Sequence, residues 1–292
     1  MARTHRTIAG AALAAALVPL TLVAPEALGG ATAHAAVTSP AAGERGALHA
    51  RDRSGVLWRY EGTGDTARPF ERRKRVGAGW QVYTVVTPLW KPDAAGEGDL
   101  VARDRSGVLW YYGGTGDPDA PFKPRVRIGG GWNAYTALTG DSRGGLVARD
   151  AAGVLWHYET KSIGGGRFYD RVRVGGGWNA YTTLTTLASP DGALGRDTAG
   201  VLWKYDVPPV APGPPFTRRQ LVGGGWNRYT ALTGTGELGG DGNPDLVARD
   251  AAGNLWLHQG ERWTAPSWNP TLVPDSSRSL IGGGWNTYDL LI

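Results

Sequence analysis

Two short signatures, each recurring five times, constrain what this chain can fold into. Gly-x-Leu-Trp puts a tryptophan at Trp58, Trp110, Trp156, Trp203 and Trp256. Between these, Gly-Gly-Gly-Trp-Asn recurs at Trp132, Trp178, Trp226 and Trp285, and Gly77-Ala78-Gly79-Trp80-Gln81 is its variant. Successive Leu-Trp tryptophans lie 52, 46, 47 and 53 residues apart. That spacing suits one four-stranded propeller blade better than a helical repeat.

Each period reads as four short strands rich in Val, Leu, Tyr and Trp, bounded by Gly and Asp turn signals. In the second period they are Leu100–Arg103, Val108–Tyr112, Arg125–Ile128 and Tyr135–Leu138. Asp-x-x-Gly links the first two, at Asp52, Asp104, Asp150, Asp197 and Asp250. An Asp there accepts backbone N–H bonds and the Gly supplies a positive φ, so these acids read as turn residues. The first strand after residue 46 has no inner strand before it, and Tyr288–Ile292 is an inner strand with nothing after it. The two fragments complete each other. The expected fold is therefore all-β: a five-bladed β-propeller over 47–292, four antiparallel strands per blade, closed by the C-terminal strand pairing in the N-terminal blade.

Residues 1–35 read as an export signal: Arg3 and Arg6 precede an apolar stretch and the small-residue pattern Ala33-His34-Ala35, with 36–46 as a linker. A secreted, extracellular chain without membrane insertion follows from that reading. No cysteine is present, which excludes disulfides, thiolate zinc sites and a cysteine nucleophile. The net charge of +5 includes five Arg in repeated Ala/Gly-Arg-Asp units, where local pairing with the adjacent Asp is expected rather than a nucleic-acid surface.

These residues resemble the tachylectin-type five-bladed propeller lectins, whose repeats carry a Gly-Gly-Trp before an aromatic-containing inner strand. The chain is also similar to FG-GAP/VCBS-type repeats of secreted bacterial proteins, through Gly240-Asp241-Gly242-Asn243-Pro244-Asp245-Leu246-Val247 and Asp99-Leu100-Val101. The lectin resemblance implies recognition of carbohydrate, with N-acetylated sugars as the expected class.

Alternating strand direction puts the Gly-Gly-Gly-Trp-Asn loops and the Asp-x-x-Gly turns on one repetitive face. The variable connections, Val207–Pro215 and Gln259–Ser279, lie on the other. Glycines let backbone approach a ligand, Trp is a flat apolar plate, and the next amide both donates and accepts. The ligand-binding residues read from this pattern are Trp80, Gln81, Trp132, Asn133, Trp178, Asn179, Trp226, Asn227, Trp285 and Asn286. Blade packing is the competing role for these tryptophans, and the expected one for the Leu-Trp set. Five weak sites would act together on cell-surface or wall glycans, by a monomer. The alternative is a protein-interaction or adhesion module using Gln259–Ser279 with Trp263 and Trp268.

The FG-GAP resemblance implies a calcium loop at Glu237, Asp241 and Asp245, with Gly239 where another oxygen ligand is expected. No other cofactor is expected. A propeller glycosidase needs converging carboxylates, whereas the inner strands start Tyr-Thr in four blades and Tyr288-Asp289 in the fifth, so no catalytic residue is assigned. His157 occupies the slot of Arg59, Tyr111, Lys204 and Leu257, which reads as a tolerant, exposed strand position.

Overall fold

The computed structural model describes residues 46–90, 98–161, 166–187, 192–205, 216, 219–260 and 278–292. Within them, twenty strands form five four-stranded antiparallel sheets. Blade 1 contains β1 (Ala47–Asp52), β2 (Leu57–Glu61) and β3 (Lys74–Gly77). Blade 2 runs β4 (Tyr83–Leu89), β5 (Asp99–Asp104), β6 (Leu109–Tyr112) and β7 (Val126–Gly129). Blade 3 runs β8 (Tyr135–Gly140), β9 (Leu146–Asp150), β10 (Leu155–Tyr158) and β11 (Val172–Gly175). Blade 4 is β12 (Tyr181–Thr186), β13 (Ala193–Asp197), β14 (Leu202–Tyr205) and β15 (Arg219–Gly223). Blade 5 is β16 (Tyr229–Gly236), β17 (Asp245–Asp250), β18 (Leu255–His258) and β19 (Arg278–Gly282). The last strand, β20 (Tyr288–Leu291), pairs with β1 as the innermost strand of blade 1, so the expected closure is present. Beyond its ladder, His49 N donates to Ile292 O at 2.7 Å and Ile292 N returns a bond to His49 O at 2.9 Å.

Alternation along each strand sends successive side chains to the two faces of a blade, and each face is covered by its neighbour. In β6, Leu109 and Tyr111 are buried with blade 3, while Trp110 and Tyr112 pack toward blade 1. The core is thus five inter-blade clusters rather than one centre. In the cluster between blades 2 and 3, Leu89, Leu109 and Tyr111 meet Trp132, Tyr135 and Leu146. Inner-strand residues Val86, Thr139, Thr186, Leu232 and Leu291 line a small axial cavity of about 130 Å³. Its hydroxyls are used internally: Thr139 Oγ1 meets Thr186 Oγ1 at 2.9 Å, and Thr233 Oγ1 donates to Leu291 O at 3.1 Å.

The hairpin acids behave as turn residues. Asp104 Oδ1 accepts from Ser106 N and Val108 N, both at 3.0 Å, and its Oδ2 accepts from Trp110 Nε1 at 2.8 Å. Hydrogen bonds from the Ser106 hydroxyl and the Trp110 indole hold this carboxyl down at about 2. The adjacent arginines do not pair with these acids. Arg103 Nη1 crosses to the next blade and donates to Trp132 O at 3.0 Å and Tyr135 O at 2.7 Å, and Arg51, Arg149, Arg196 and Arg249 repeat both bonds. The expected local pairing is corrected to a clasp between blades, because neighbouring residues on a strand point to opposite faces.

Candidate functional site

Each Gly-Gly-Gly-Trp-Asn loop is built onto the hairpin turn of the blade before it. Gly131, at φ 87°, permits the left-handed step into a single 3₁₀ turn, Trp132–Ala134. Trp132 N then donates to Gly107 O at 3.0 Å, which confirms that loop and turn share a face. The amides complete the graft. Asn133 Nδ2 donates to Arg105 O at 3.2 Å, and Asn179, Asn227 and Asn286 make the equivalent bonds to Ala151, Thr198 and Ala251. Gln81 is exposed and lies over Gly55, where a Cβ would collide with its side chain.

The indoles of these loops are wedges between blades rather than plates turned to solvent. Trp80, Trp132, Trp178, Trp226 and Trp285 are only 6%, 7%, 7%, 0% and 8% exposed. Trp132 packs 4.8 Å from the Tyr158 ring and 5.6 Å from Tyr135. Blade 5 substitutes His258 for the third-strand tyrosine, 4.8 Å from Trp226. The sequence pattern brings each tryptophan to an inter-blade seam but leaves the following amide on the hairpin beside it.

The Leu-Trp tryptophans are half-buried, and each carries an arginine on its ring. Arg73, Arg125, Arg171, Arg219 and Arg278 stand 4.1, 4.2, 4.2, 4.0 and 4.4 Å from the centroids of Trp58, Trp110, Trp156, Trp203 and Trp256. The same arginine reaches the inner-strand tyrosine of its blade, as Arg171 Nη1 does to Tyr135 Oη at 2.6 Å. That hydroxyl also meets Tyr158 Oη at 2.5 Å. In the equivalent pair of blade 2, burial and the Tyr83 hydroxyl push the Tyr112 phenol above its ordinary range. Sequence reading passes over these arginines, although Phe-x-x-Arg at Phe70, Phe122, Phe168 and Phe216 finds four of them.

At the outer end of the seam between blades 2 and 3 a groove of about 770 Å³ opens. Trp132, Tyr158 and Phe168 supply its aromatic lining, Gly129 its bare backbone, and Arg171 a guanidinium. A Cβ at Gly129 would meet nothing within 4 Å, so the first glycine of the triplet leaves the groove wide. Aromatic surface beside backbone and a few fixed polar groups is the arrangement that holds a small polar ligand.

The acids singled out for calcium lie near enough that Glu237 and Asp241 help to push up the Asp245 carboxyl, yet each is engaged by backbone N–H groups of its own loop. Asp245 is fully buried and stitches a loop: Oδ2 accepts from Leu238 N at 2.8 Å and Gly239 N at 2.9 Å, Oδ1 from Gly260 N at 2.9 Å. Burial pushes its carboxyl up to about 7 despite those bonds. Glu237 Oε1 accepts from Gly240 N at 2.6 Å while its Oε2 is buried without a hydrogen-bond partner, and Asp241 accepts from Asn243 N at 2.9 Å in an exposed turn. Among the described residues no three acidic or histidine side chains are grouped to hold a metal ion. Asp245 thus spends three of its acceptor sites on the backbone of its own loop.

Two further residues singled out by the sequence can be placed. Asp289 is held by Arg51, whose Nε and Nη2 donate to its two oxygens at 2.9 Å each. His157 is a correction: it is 8% exposed, with Nε2 at 2.6 Å from Asp141 Oδ2, so the slot read as tolerant and exposed is an interior polar position. Trp263 and Trp268 lie outside the described residues, as do residues 1–35. Among the described residues no helix is long and apolar enough to cross a membrane.

Comparison with solved structures gives a symmetrical protein from work on de novo evolutionary emergence shaped by folding constraints, 20% identical over 85% of this chain and 98% of that one, with a TM-score of 0.54. That likeness shows the fold. Human WBSCR16 (12% identity, 74% of this chain, 60% of that one, TM-score 0.32) and yeast RCC1 (Prp20) bound to Kap60 (10%, 81%, 61%, 0.38) are more distant. No curated protein matches the chain. A family model, however, matches residues 51–290, which takes in all five Gly-x-Leu-Trp signatures and all five wedge tryptophans: the chain belongs to the Tachylectin family.

Proposed function

We propose that this chain is a secreted lectin that holds saccharides in the seams between its blades and engages cell-surface or wall glycans through several weak seats at once. The groove between blades 2 and 3 carries the reading. It offers an aromatic lining, open glycine backbone and a fixed guanidinium at a size suited to one or two sugar rings. Tachylectin family membership supports the same class of ligand and favours N-acetylated sugars. Because the blade plan recurs, avidity rather than single-site affinity would carry the function. The reading is of binding rather than hydrolysis, supported by the pairing of Asp289 with Arg51 and by an axial cavity lined chiefly by Leu and Thr.

The test fills grooves while leaving the wedge tryptophans in place. Gly77, Gly129 and Gly175 carry no left-handed φ, and their Cβ positions are open or in ordinary contact at 3.9 to 4.0 Å. A Gly77→Leu/Gly129→Leu/Gly175→Leu variant should keep its thermal midpoint within a few degrees and lose binding on an array that includes N-acetylated and bacterial-wall sugars, with chelator making no difference. Undiminished binding by the folded triple variant would remove the grooves from the mechanism.

A further inference from the structure

We propose that the groove between blades 2 and 3 takes an acidic saccharide, whose carboxylate pairs with Lys161 and Arg167 while its ring lies along the aromatic lining. This rests on the saccharide reading above and names its ligand class for one seam. Arg127, Lys161, Arg167 and Arg171 line the groove against a single acid, Asp170.

Arg171 is committed to Trp156 and Tyr135, as its counterparts are in every blade. Lys161 and Arg167 differ in kind. Their loop is closed by Lys161 N donating to Arg167 O at 2.7 Å. The same bond joins Thr63 to Pro69 in blade 1 at 3.0 Å, and Thr115 to Pro121 in blade 2 at 3.1 Å. In those blades the threonine hydroxyl caps the turn, as Thr115 Oγ1 does by donating to Ala120 O at 2.6 Å. Thr and Pro therefore satisfy the scaffold, and blade 3 places two cations where its neighbours need none. Both side chains are exposed, and among the described residues neither has a carboxylate partner; Lys161 Nζ stands 5.2 Å over the Tyr169 ring.

The rim also differs from that of the preceding seam. Between blades 1 and 2, Lys74 Nζ bridges to Asp119 at 2.7 Å. Val126 occupies the Lys74 register position in blade 2, so no such bridge spans the mouth beneath Lys161 and Arg167. A carboxylate entering there meets two exposed cations that have no carboxylate partner among the described residues, and can form charge-assisted hydrogen bonds with both.

The experiment compares N-acetylglucosamine with N-acetylmuramic acid, which keeps the ring and acetamido group and adds a carboxylate. Titration of the purified protein at low salt should show the acid bound about tenfold tighter, with the difference shrinking as salt rises. Lys161→Thr with Arg167→Gln should erase that difference and leave the neutral sugar unchanged, with a thermal midpoint confirming the fold. Equal binding of the two sugars by the wild type would overturn the acidic preference and leave the saccharide reading standing. Failure of both sugars to bind would bring down both readings, and these two outcomes are read on the wild type alone.

Discussion

At the scale of single residues, burial decides roles that chemistry alone leaves open. Trp132 has the composition of a sugar plate in the sequence, yet it is enclosed by Tyr135, Tyr158 and the carbonyl grip of Arg103. Trp132→Ala should cost about 3–5 kcal/mol, read as a shift of the denaturant midpoint at unchanged slope; a loss under about 1 kcal/mol would mean that the wedge does not hold the seam. Asp245 gives a pH signature. Its folded pKa of about 7 lies above the ordinary carboxylate value, so its contribution to stability is complete below about pH 4 and is lost as pH rises through 7. Asp245→Asn loses backbone acceptors and is destabilised at pH 5, but the deficit against wild type should narrow by a few kcal/mol by pH 8. A deficit independent of pH would place the Asp245 pKa near its unfolded value. His49 works in the opposite sense: burial and the Arg59 charge drive its pKa down to about 3, which favours the fold above pH 6.5 and withdraws that support as pH falls toward 3. Only the difference between variant and wild type isolates Asp245.

At the scale of elements, the local pieces are legible in the sequence and the joints between them are not. Asp-x-x-Gly turns and strand limits can be read because a hairpin is determined by residues close in sequence. In the second period the pattern marks Leu100–Arg103 and Tyr135–Leu138 where the strands run Asp99–Asp104 and Tyr135–Gly140. The arginine beside each turn Asp misleads, since adjacency in sequence suggests a pair and the pleat forbids it. The 3₁₀ step after the glycines leaves no comparable signal. Within the triplet the last glycine takes a left-handed φ in every blade and the middle one in none, which is why Ala78 is tolerated in blade 1 between Gly77 and Gly79 at φ 91°. The candidate site is half legible: the pattern locates the seam at Trp132, but the groove also needs Phe168 and Arg171 from the outer part of blade 3, beyond two further strands. The clasp predicts a graded cost. Arg149→Lys keeps the charge but gives up the Nε bond to Thr136 Oγ1 that fixes the guanidinium against Trp178 O and Tyr181 O, so the loss should be about 1–3 kcal/mol, with hydrogen exchange rising first at β12. Uniform exchange across all blades would show that the clasp acts globally instead.

At the scale of the whole molecule, the ring is stable because no seam is left unmatched, and the closing strand decides that. Removing Tyr288–Ile292 would take Tyr288 and Leu291 from the cluster between blades 5 and 1, and the Tyr288 carbonyl from Arg249. It would also strip β1 of its inner ladder partner, leaving β2 on its other side, and expose an unpaired strand edge. A repeat array bears the loss of one terminal contact gradually, since its stability is a sum over neighbours, whereas a closed ring loses two interfaces of the same blade together. The truncated chain should therefore unfold at a markedly lower temperature, over a broader transition, and elute as dimers or larger species through the bare β1 edge. A circular permutant joining Ile292 to Gly46 through a short glycine linker, opened at Gly242 where a Cβ meets nothing within 4 Å, keeps every seam and should melt near the wild type. If the truncated chain instead melts as cooperatively as the full one and stays monomeric, blades 1 and 5 are held by side-chain packing alone. In that case the pairing of β20 with β1 would be a consequence of the closed ring and not its cause.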